Sequence, residues 1–274
     1  MVSTGVHYRD HVVTLDEGSF RQQGGSFTWK GNYNVENSSI DGTLKFDNWN
    51  AKEILRMLKM TSDAVDIPVE GGMRISGTLD NPSVDFKANI LGGHLGATSV
   101  GDGVIDFSYM NKALSIRKMN IPVGNGVLDA QGGMNSQGDL DIQFAARDMD
   151  VSWIPSVLNK KDVKIGGTPT AGVYLSGNKT KPVADISIGV DHPSYGDISF
   201  DDFSLMANMS DNVFTLQNAL ITRDAYKASM KGTIPGAMFG LPVVSDVPID
   251  LDINLDHADM NILCLLYTSP SPRD

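Results

Sequence analysis

Apolar and polar residues alternate with a period of two along most of this chain. Val84, Phe86, Ala88 and Ile90 are separated by Asp85, Lys87 and Asn89, and Ile249, Leu251, Ile253 and Leu255 by Asp250, Asp252 and Asn254. Ile105/Phe107/Tyr109, Leu140/Ile142/Phe144, Ala184/Ile186/Ile188/Val190 and Phe203/Leu205/Ala207/Met209 follow the same rule. Alternation of this kind gives a strand one apolar face and one wet face. Turn-forming residues punctuate the pattern at Asp80-Asn81-Pro82, Gly92-Gly93, Gly101-Asp102-Gly103, Gly124-Asn125-Gly126, Gly132-Gly133 and Gln137-Gly138. Read together, these signals predict a mainly-β chain with about six strands of about seven residues in each hundred.

The pattern also repeats over a longer distance. Met73-Arg74-Ile75-Ser76-Gly77 and Pro82-Ser83-Val84-Asp85-Phe86 return as Val173-Tyr174-Leu175-Ser176-Gly177 and Pro182-Val183-Ala184-Asp185-Ile186, an offset of 100. Leu114, Ile116, Ile121, Leu128, Ala130 and Gly132 fall on Phe214, Leu216, Ile221, Ala228, Met230 and Gly232. With a one-residue slip they also fall on Val13, Leu15, Phe20, Phe27, Trp29 and Gly31. Each copy then enters a polar corner. Asn48-Trp49-Asn50 leads to Glu53–Leu58, Asp148-Met149-Asp150 leads to Trp153–Leu158, and Asp259-Met260-Asn261 ends the third copy after an insertion around Gly236–Ser245. Asn and Asp at such corners read as helix N-caps.

The repeat therefore divides the chain into four parts. Residues 1–71 form a partial β-repeat ending in a short helix near 50–60, residues 72–170 a complete repeat, and residues 171–263 a repeat truncated before its helix. Residues 264–274, from Cys264 to Asp274, break the pattern and are expected to be a non-native, adapter-derived tail.

A sheet with one apolar face needs a cover: a second sheet, helices or a ligand. One short helix per hundred residues is too little. Two architectures stay open, a closed solenoid or sandwich, and an elongated U-shaped β-groove whose apolar lining holds a greasy ligand. Seven-residue strands span about 23 Å, and six strands advance about 29 Å. One leaflet of hydrocarbon is about 15 Å thick, so a curled sheet of that size can enclose acyl chains.

Composition narrows the function. Lys+Arg 22 against Asp+Glu 33 gives a net charge of −11, with no basic cluster, which argues against nucleic acid as a partner. Cys264 is the only cysteine, so neither a disulfide framework nor a thiolate metal site is expected. No run approaches the roughly 20 apolar residues of a membrane helix, and no signal pattern opens the chain.

Several motifs together carry a family resemblance: the Ser76-Gly77 and Asn81-Pro82-Ser83-Val84-Asp85 turn, Gly92-Gly93, and the Asp148-Met149-Asp150 corner followed by a short helix, recurring in order at a fixed period. Over roughly residues 10–263 the chain resembles the TamB branch of the AsmA-like envelope proteins, as an internal fragment. The resemblance implies a periplasmic β-groove in a parent protein anchored in the inner membrane, moving phospholipid toward the outer membrane. It also implies a role in outer-membrane protein assembly and autotransporter secretion with a BamA-like partner. Both membrane contacts belong to regions of the parent outside this chain.

The groove lining expected from the alternation is Val84, Phe86, Ala88, Ile90, Ile105, Phe107, Leu140, Ile142, Phe144, Ala184, Ile186, Ile188, Phe203, Leu205, Leu251, Ile253 and Leu255. Met149, Met206, Met209, Met230 and Met260 also sit among apolar repeat positions, as core filler or as adaptable lipid contacts. Ala51–Met60, with Ile54, Leu55 and Leu58 on one face, is expected to cap or edge the groove; a membrane-surface helix is the alternative, since Lys52, Arg56 and Lys59 flank it.

Chemistry is sparse by comparison. His7 and His11 have i, i+4 spacing but sit in strand-like sequence with no third ligand near, and His94, His192 and His257 are scattered. Asp139, Asp141, Asp250 and Asp252 occupy wet strand positions. With no Walker motif, nucleophile elbow or Cys/His pair, the expectation is a non-enzyme with no catalytic residue, metal or cofactor. Beside lipid transport stand two rivals: a scaffold whose sheet edges pair with client strands, and a closed-core structural or adhesive repeat.

Overall fold

A computed structural model describes residues 4–22, 24–57, 64–157, 163–239 and 247–256. The alternation becomes one antiparallel sheet of 18 strands. They are β1 (Val6–Arg9), β2 (Val12–Gln22), β3 (Gly25–Asn34), β4 (Ser39–Asn50), β5 (Val65–Asp66), β6 (Pro68–Thr78), β7 (Pro82–Leu95), β8 (Thr98–Met110) and β9 (Ala113–Val123), followed by β10 (Gly126–Met134), β11 (Leu140–Arg147), β12 (Ile165–Asn178), β13 (Lys181–Tyr195), β14 (Ile198–Ser199), β15 (Asp202–Ser210), β16 (Val213–Arg223), β17 (Tyr226–Pro235) and β18 (Asp250–Asp256). Each long strand pairs with the next long strand in sequence, from β1–β2 through β17–β18. The two-residue strands β5 and β14 join the sheet on β7 and β13. Among the described residues the sheet does not close on itself, consistent with the elongated groove of the two architectures.

The strands are longer than the expected seven residues: β7 has 14 and β13 has 15. The reason is that three of the glycine clusters read as turns lie inside strands. Gly92-Gly93 is within β7, Gly101–Gly103 within β8 and Gly132-Gly133 within β10. Reversals do occur at Asp80-Asn81, Gly124-Asn125 and Gln137-Gly138. Three two-residue turns, as tight as Gly124-Asn125, contain no glycine. Asp10-His11, Asn111-Lys112 and Asp211-Asn212 each place both residues at positive φ, the mirror-image turn that matches strand twist and that Asn and Asp tolerate best.

A bulge recurs one strand further on. In β9, Ile105 pairs with Met119 and Phe107 with Ile116, so two residues on β8 span three on β9. In β2, Leu15 and Gly18 oppose Gly31 and Trp29, and in β16, Leu216 and Ala219 oppose Ala207 and Leu205. Such bulges bend a strand and raise its right-handed twist, and this one recurs in each copy of the repeat.

The first helix starts at its predicted cap, and the second follows its predicted corner after a turn. The Asn50 side chain accepts a hydrogen bond from the Lys52 amide at 3.0 Å, opening α1 (Ala51–Met57), and Asp150 accepts one from Ser152 at 2.7 Å just before α2 (Ile154–Val157). Ala51 and Leu55 pack on a cluster of Phe46, Trp49, Val65, Ile67, Val69, Ala88, Ile90 and Val100. The helix thus covers one end of the apolar face, as expected. The Ile54 side chain, Leu58, the third polar corner and Cys264 with its tail lie outside the described residues, as does most of the insertion after the short turn Gly236–Phe239.

Candidate functional site: the apolar face of the sheet

Residues directly opposite one another on antiparallel strands share a face. Following the pairings across the sheet gives one row: Phe20, Phe27, Phe46, Gly71, Ala88, Ile105, Met119, Ala130, Phe144, Val173, Ile186, Ala207, Leu216, Gly232 and Leu251. It crosses every long strand from β2 to β18 and carries no polar side chain. The neighbouring row is equally apolar, from Trp29 through Leu44, Met73, Phe86, Phe107, Ile116, Gly132, Ile142, Leu175, Ala184, Met209 and Phe214 to Ile234. Aromatic rings meet along these rows: Phe86 and Phe107 stack at 4.9 Å, and Phe46 stands 6.0 Å from Phe86.

All seventeen positions expected to line a groove fall on this face. Val84 and Leu140 extend one side of the two rows, through Tyr109, Leu114 and Met134. Ile90, Ile188, Leu205 and Ile253 extend the other, and Phe203 and Leu255 lie beyond them in register with Ile221 and Ala228. Met206 is a correction: it pairs with Ser187 and Asn218 on the wet face and is 53% exposed, because the alternation that points Leu205 and Ala207 inward must point Met206 out. Met149 and Met209 are buried, and Met230 is half-buried on the apolar face. Met260 and His257 lie outside the described residues.

The face is wetted along much of its length. Ala88, Ile90, Ile142 and Ala184 are buried, but Val84, Phe86, Ile105, Phe107, Leu140, Ile186, Ile188, Phe203, Leu205 and Leu251 are only half-buried. Phe144 is 37% exposed, Leu255 42% and Ile253 61%. No large side chain among the described residues is fully buried. A second packed layer of protein would bury these groups to a few per cent, so the described residues supply no such layer over this face.

The opposite face is mostly polar, with Val104, Val183, Met206 and Leu220 among its exceptions. Thr28, Lys45, Gly72, Lys87, Asp106 and Lys118 are in register there, as are Gln131, Gln143, Tyr174, Asp185, Asn208, Thr215, Thr233 and Asp250. Arg117, at the β9 bulge, donates to Asp106 at 2.6 Å and to Asp85 at 3.0 Å, and these bonds, Asp106 first, hold its guanidinium pKa above the ordinary value. The Asp141 carboxylate, then burial, raises the Tyr174 phenol. His7 contacts Asp16 at 2.7 Å, and His11 sits in the following turn, so the pair does not form a two-histidine site. Among the described residues no three His, Cys, Asp or Glu side chains gather as a metal site, and no helix is long and apolar enough to cross a membrane.

Trp29, Leu44, Met73, Ile116 and Met119 belong to the apolar face but were absent from the expected lining. Ile116 and Met119 break the period of two because the bulge sets them three apart, whereas Trp29, Leu44 and Met73 stand two residues from Phe27, Phe46 and Ile75 and follow it. No family model, curated protein or solved structure matches the chain.

Proposed function

We propose that this chain is an internal segment of a TamB/AsmA-like envelope protein whose apolar sheet face carries phospholipid acyl chains between the inner and outer membranes of a bacterium, with the head groups left in water. The observation that carries this reading is the row from Phe20 to Leu251: fifteen successive strands with no polar side chain, on a face that remains half in water. Apolar area left in water costs about 25 cal/mol per Å². Hydrocarbon laid along the face removes that cost and asks for no hydrogen bond. Because the row runs through successive repeats without interruption, a chain can slide from one repeat to the next past no polar barrier. The mechanism is passive, and no residue forms a covalent bond.

The test is native mass spectrometry with lipid extraction on the purified chain and on a variant with Phe86→Glu, Phe144→Glu and Ile186→Glu. Stoichiometric phospholipid on the parent and none on the folded variant is the expected result. A folded parent that never carries lipid overturns the reading.

A second reading, a scaffold for outer-membrane protein assembly and autotransporter secretion with a BamA-like partner, rests on the sheet edges. Among the described residues β1 and β18 each pair on one side only. An open edge can accept a client strand by backbone pairing. Crosslinks from Val6–Arg9 or Asp250–Asp256 to an unfolded β-barrel client, with none from the apolar face to lipid, would favour it.

A further inference from the structure

The apolar face is not uniform, and it is hollow where β3 meets β4. Gly31 and Gly42 are directly opposed on β3 and β4, with Leu15 beyond Gly31 and Ile75 beyond Gly42. Two facing residues without side chains leave a depression of about 310 Å³, walled by Leu15, Trp29, Tyr33, Ile40, Leu44 and Ile75.

The repeat shows that this hollow is particular to its site. Gly31 corresponds to Gly132 and Gly232, which face Ile116 and Leu216 as Gly31 faces Leu15. The partner on the next strand differs: Gly132 is opposed by Ile142 and Gly232 by Leu251, but Gly31 by Gly42. Where the other copies place a branched side chain, this one places none. A side chain at Gly42 asks its neighbours to give by only a few tenths of an ångström. A Cβ on Gly42 would stand 3.4 Å from Ile75 Cγ2 and 3.3 Å from the Lys30 carbonyl oxygen, and Gly42 does not lie at positive φ.

We infer that the Gly31–Gly42 hollow is a seat for a single acyl chain of about ten carbons, a fixed stop on an otherwise continuous face. At about 30 Å³ for each water-sized unit, the volume holds about ten methylene-sized groups. The hollow crosses β2, β3, β4 and β6, three interstrand steps of about 4.8 Å, and so is about 14 Å long in the direction in which the rows run. A linear chain matches that shape. A peptide backbone does not, because its N–H and C=O groups would enter a wall of apolar side chains without partners.

This inference rests on the acyl-carrying reading, and the experiment separates the two. The full chain is incubated with decanoic acid bearing a terminal diazirine, total uptake is measured by equilibrium dialysis, and after irradiation the labelled residues are mapped by mass spectrometry. Gly42→Ile restores the side chain found at the equivalent position of the next copy, and Leu15→Phe fills the hollow from its side without touching the Gly42 backbone. The expected result is label concentrated on the six wall residues, falling at least tenfold in either folded variant while uptake on the rest of the face persists. Uptake with label spread evenly along the face, or unchanged in both folded variants, overturns the seat and leaves the carrier reading in place. No uptake anywhere on the folded chain overturns both.

Discussion

Ile116 and Met119 stand three residues apart in β9 yet share the apolar face, because Phe107 pairs with the first and Ile105 with the second. The pairing leaves Arg117 as the extra residue, exposed on the wet face and bridging Asp85 and Asp106. Deleting Arg117 converts the spacing to two and keeps both apolar residues inside. We expect the deletion variant to fold with a straighter sheet, seen by X-ray scattering as a larger maximum dimension. Deleting Lys87 from β7, whose pairing with β6 has no bulge, instead turns one half of the strand inside out. Moving buried Ala88 and Ile90 into water, at about 1.5–3 kcal/mol for a side chain such as Ile, should cost several kcal/mol and unfold the surrounding strands by circular dichroism. Equal damage from the two deletions would show that the bulge does not absorb the extra residue.

Trp49 is the tightest anchor of the helix-covered cluster. It is 3% exposed and meets Phe20 edge-on at 5.6 Å and Phe27 at 5.8 Å. Trp49→Ala leaves a cavity under α1 and should lower stability by about 3–5 kcal/mol. Phe144, in the open part of the same face and 37% exposed, has less to lose. Phe144→Ala should shift the urea midpoint by less than a third as much. A larger effect at Phe144 would mean that protein, not solvent or ligand, packs against that stretch.

Glycine inside the strands divides into two kinds. Gly132 has φ of 109°, and a Cβ there would meet the Asp141 carbonyl oxygen at 2.0 Å. Gly189, on the wet face of β13 opposite Thr170, has its nearest neighbour, the Thr170 carbonyl oxygen, at 4.0 Å. Gly132→Ala should therefore cost at least about 1–3 kcal/mol through backbone strain and displacement of β11. Gly189→Ala should be neutral, or stabilising by up to about 1 kcal/mol, since it reduces the freedom of the unfolded chain alone. Urea denaturation of the two variants side by side checks both signs.

These cases show where the sequence was readable. Alternation over 84–90, 184–190 and 251–255 identified residues of one face because those stretches run without a register shift past their partners. Gly92-Gly93 and Gly132-Gly133 were misread as turns, since glycine marks a place where a side chain cannot fit and both a reversal and a close strand contact meet that description. The polar pairs Asp16-Glu17, Arg117-Lys118 and Gln217-Asn218 broke the period of two, and only pairing partners reveal them as bulges. The hollow beside Gly42 was invisible for a related reason: its glycine is informative only when set against Ile142 and Leu251 in register.

The turn between β10 and β11 gives the molecule an acid-sensitive joint. Asp139 accepts from Asn178 Nδ2 at 3.0 Å and from Asn135 Nδ2 at 2.8 Å, while Asn178 also donates to the Gln137 carbonyl at 3.1 Å. The bond from Asn178, then the one from Asn135, holds the Asp139 carboxyl below its ordinary pKa, against a smaller opposing effect of burial. A depressed folded-state pKa means that the ionised form binds its partners better. The contribution is therefore complete above the ordinary aspartate value and is lost as pH falls from that value through the depressed one. Asp139 and Asn178 form the bridge that continues the β11–β12 ladder beyond Ile142–Leu175. Acidification through that window should open the bridge before the sheet unfolds. We expect hydrogen exchange at Gly138 and Lys179, whose amides bond within this turn, to rise over it. Asp139→Asn should exchange faster at neutral pH and lose the acid-dependent step. Exchange at these two amides that stays flat in the parent through the same window would rule out the joint.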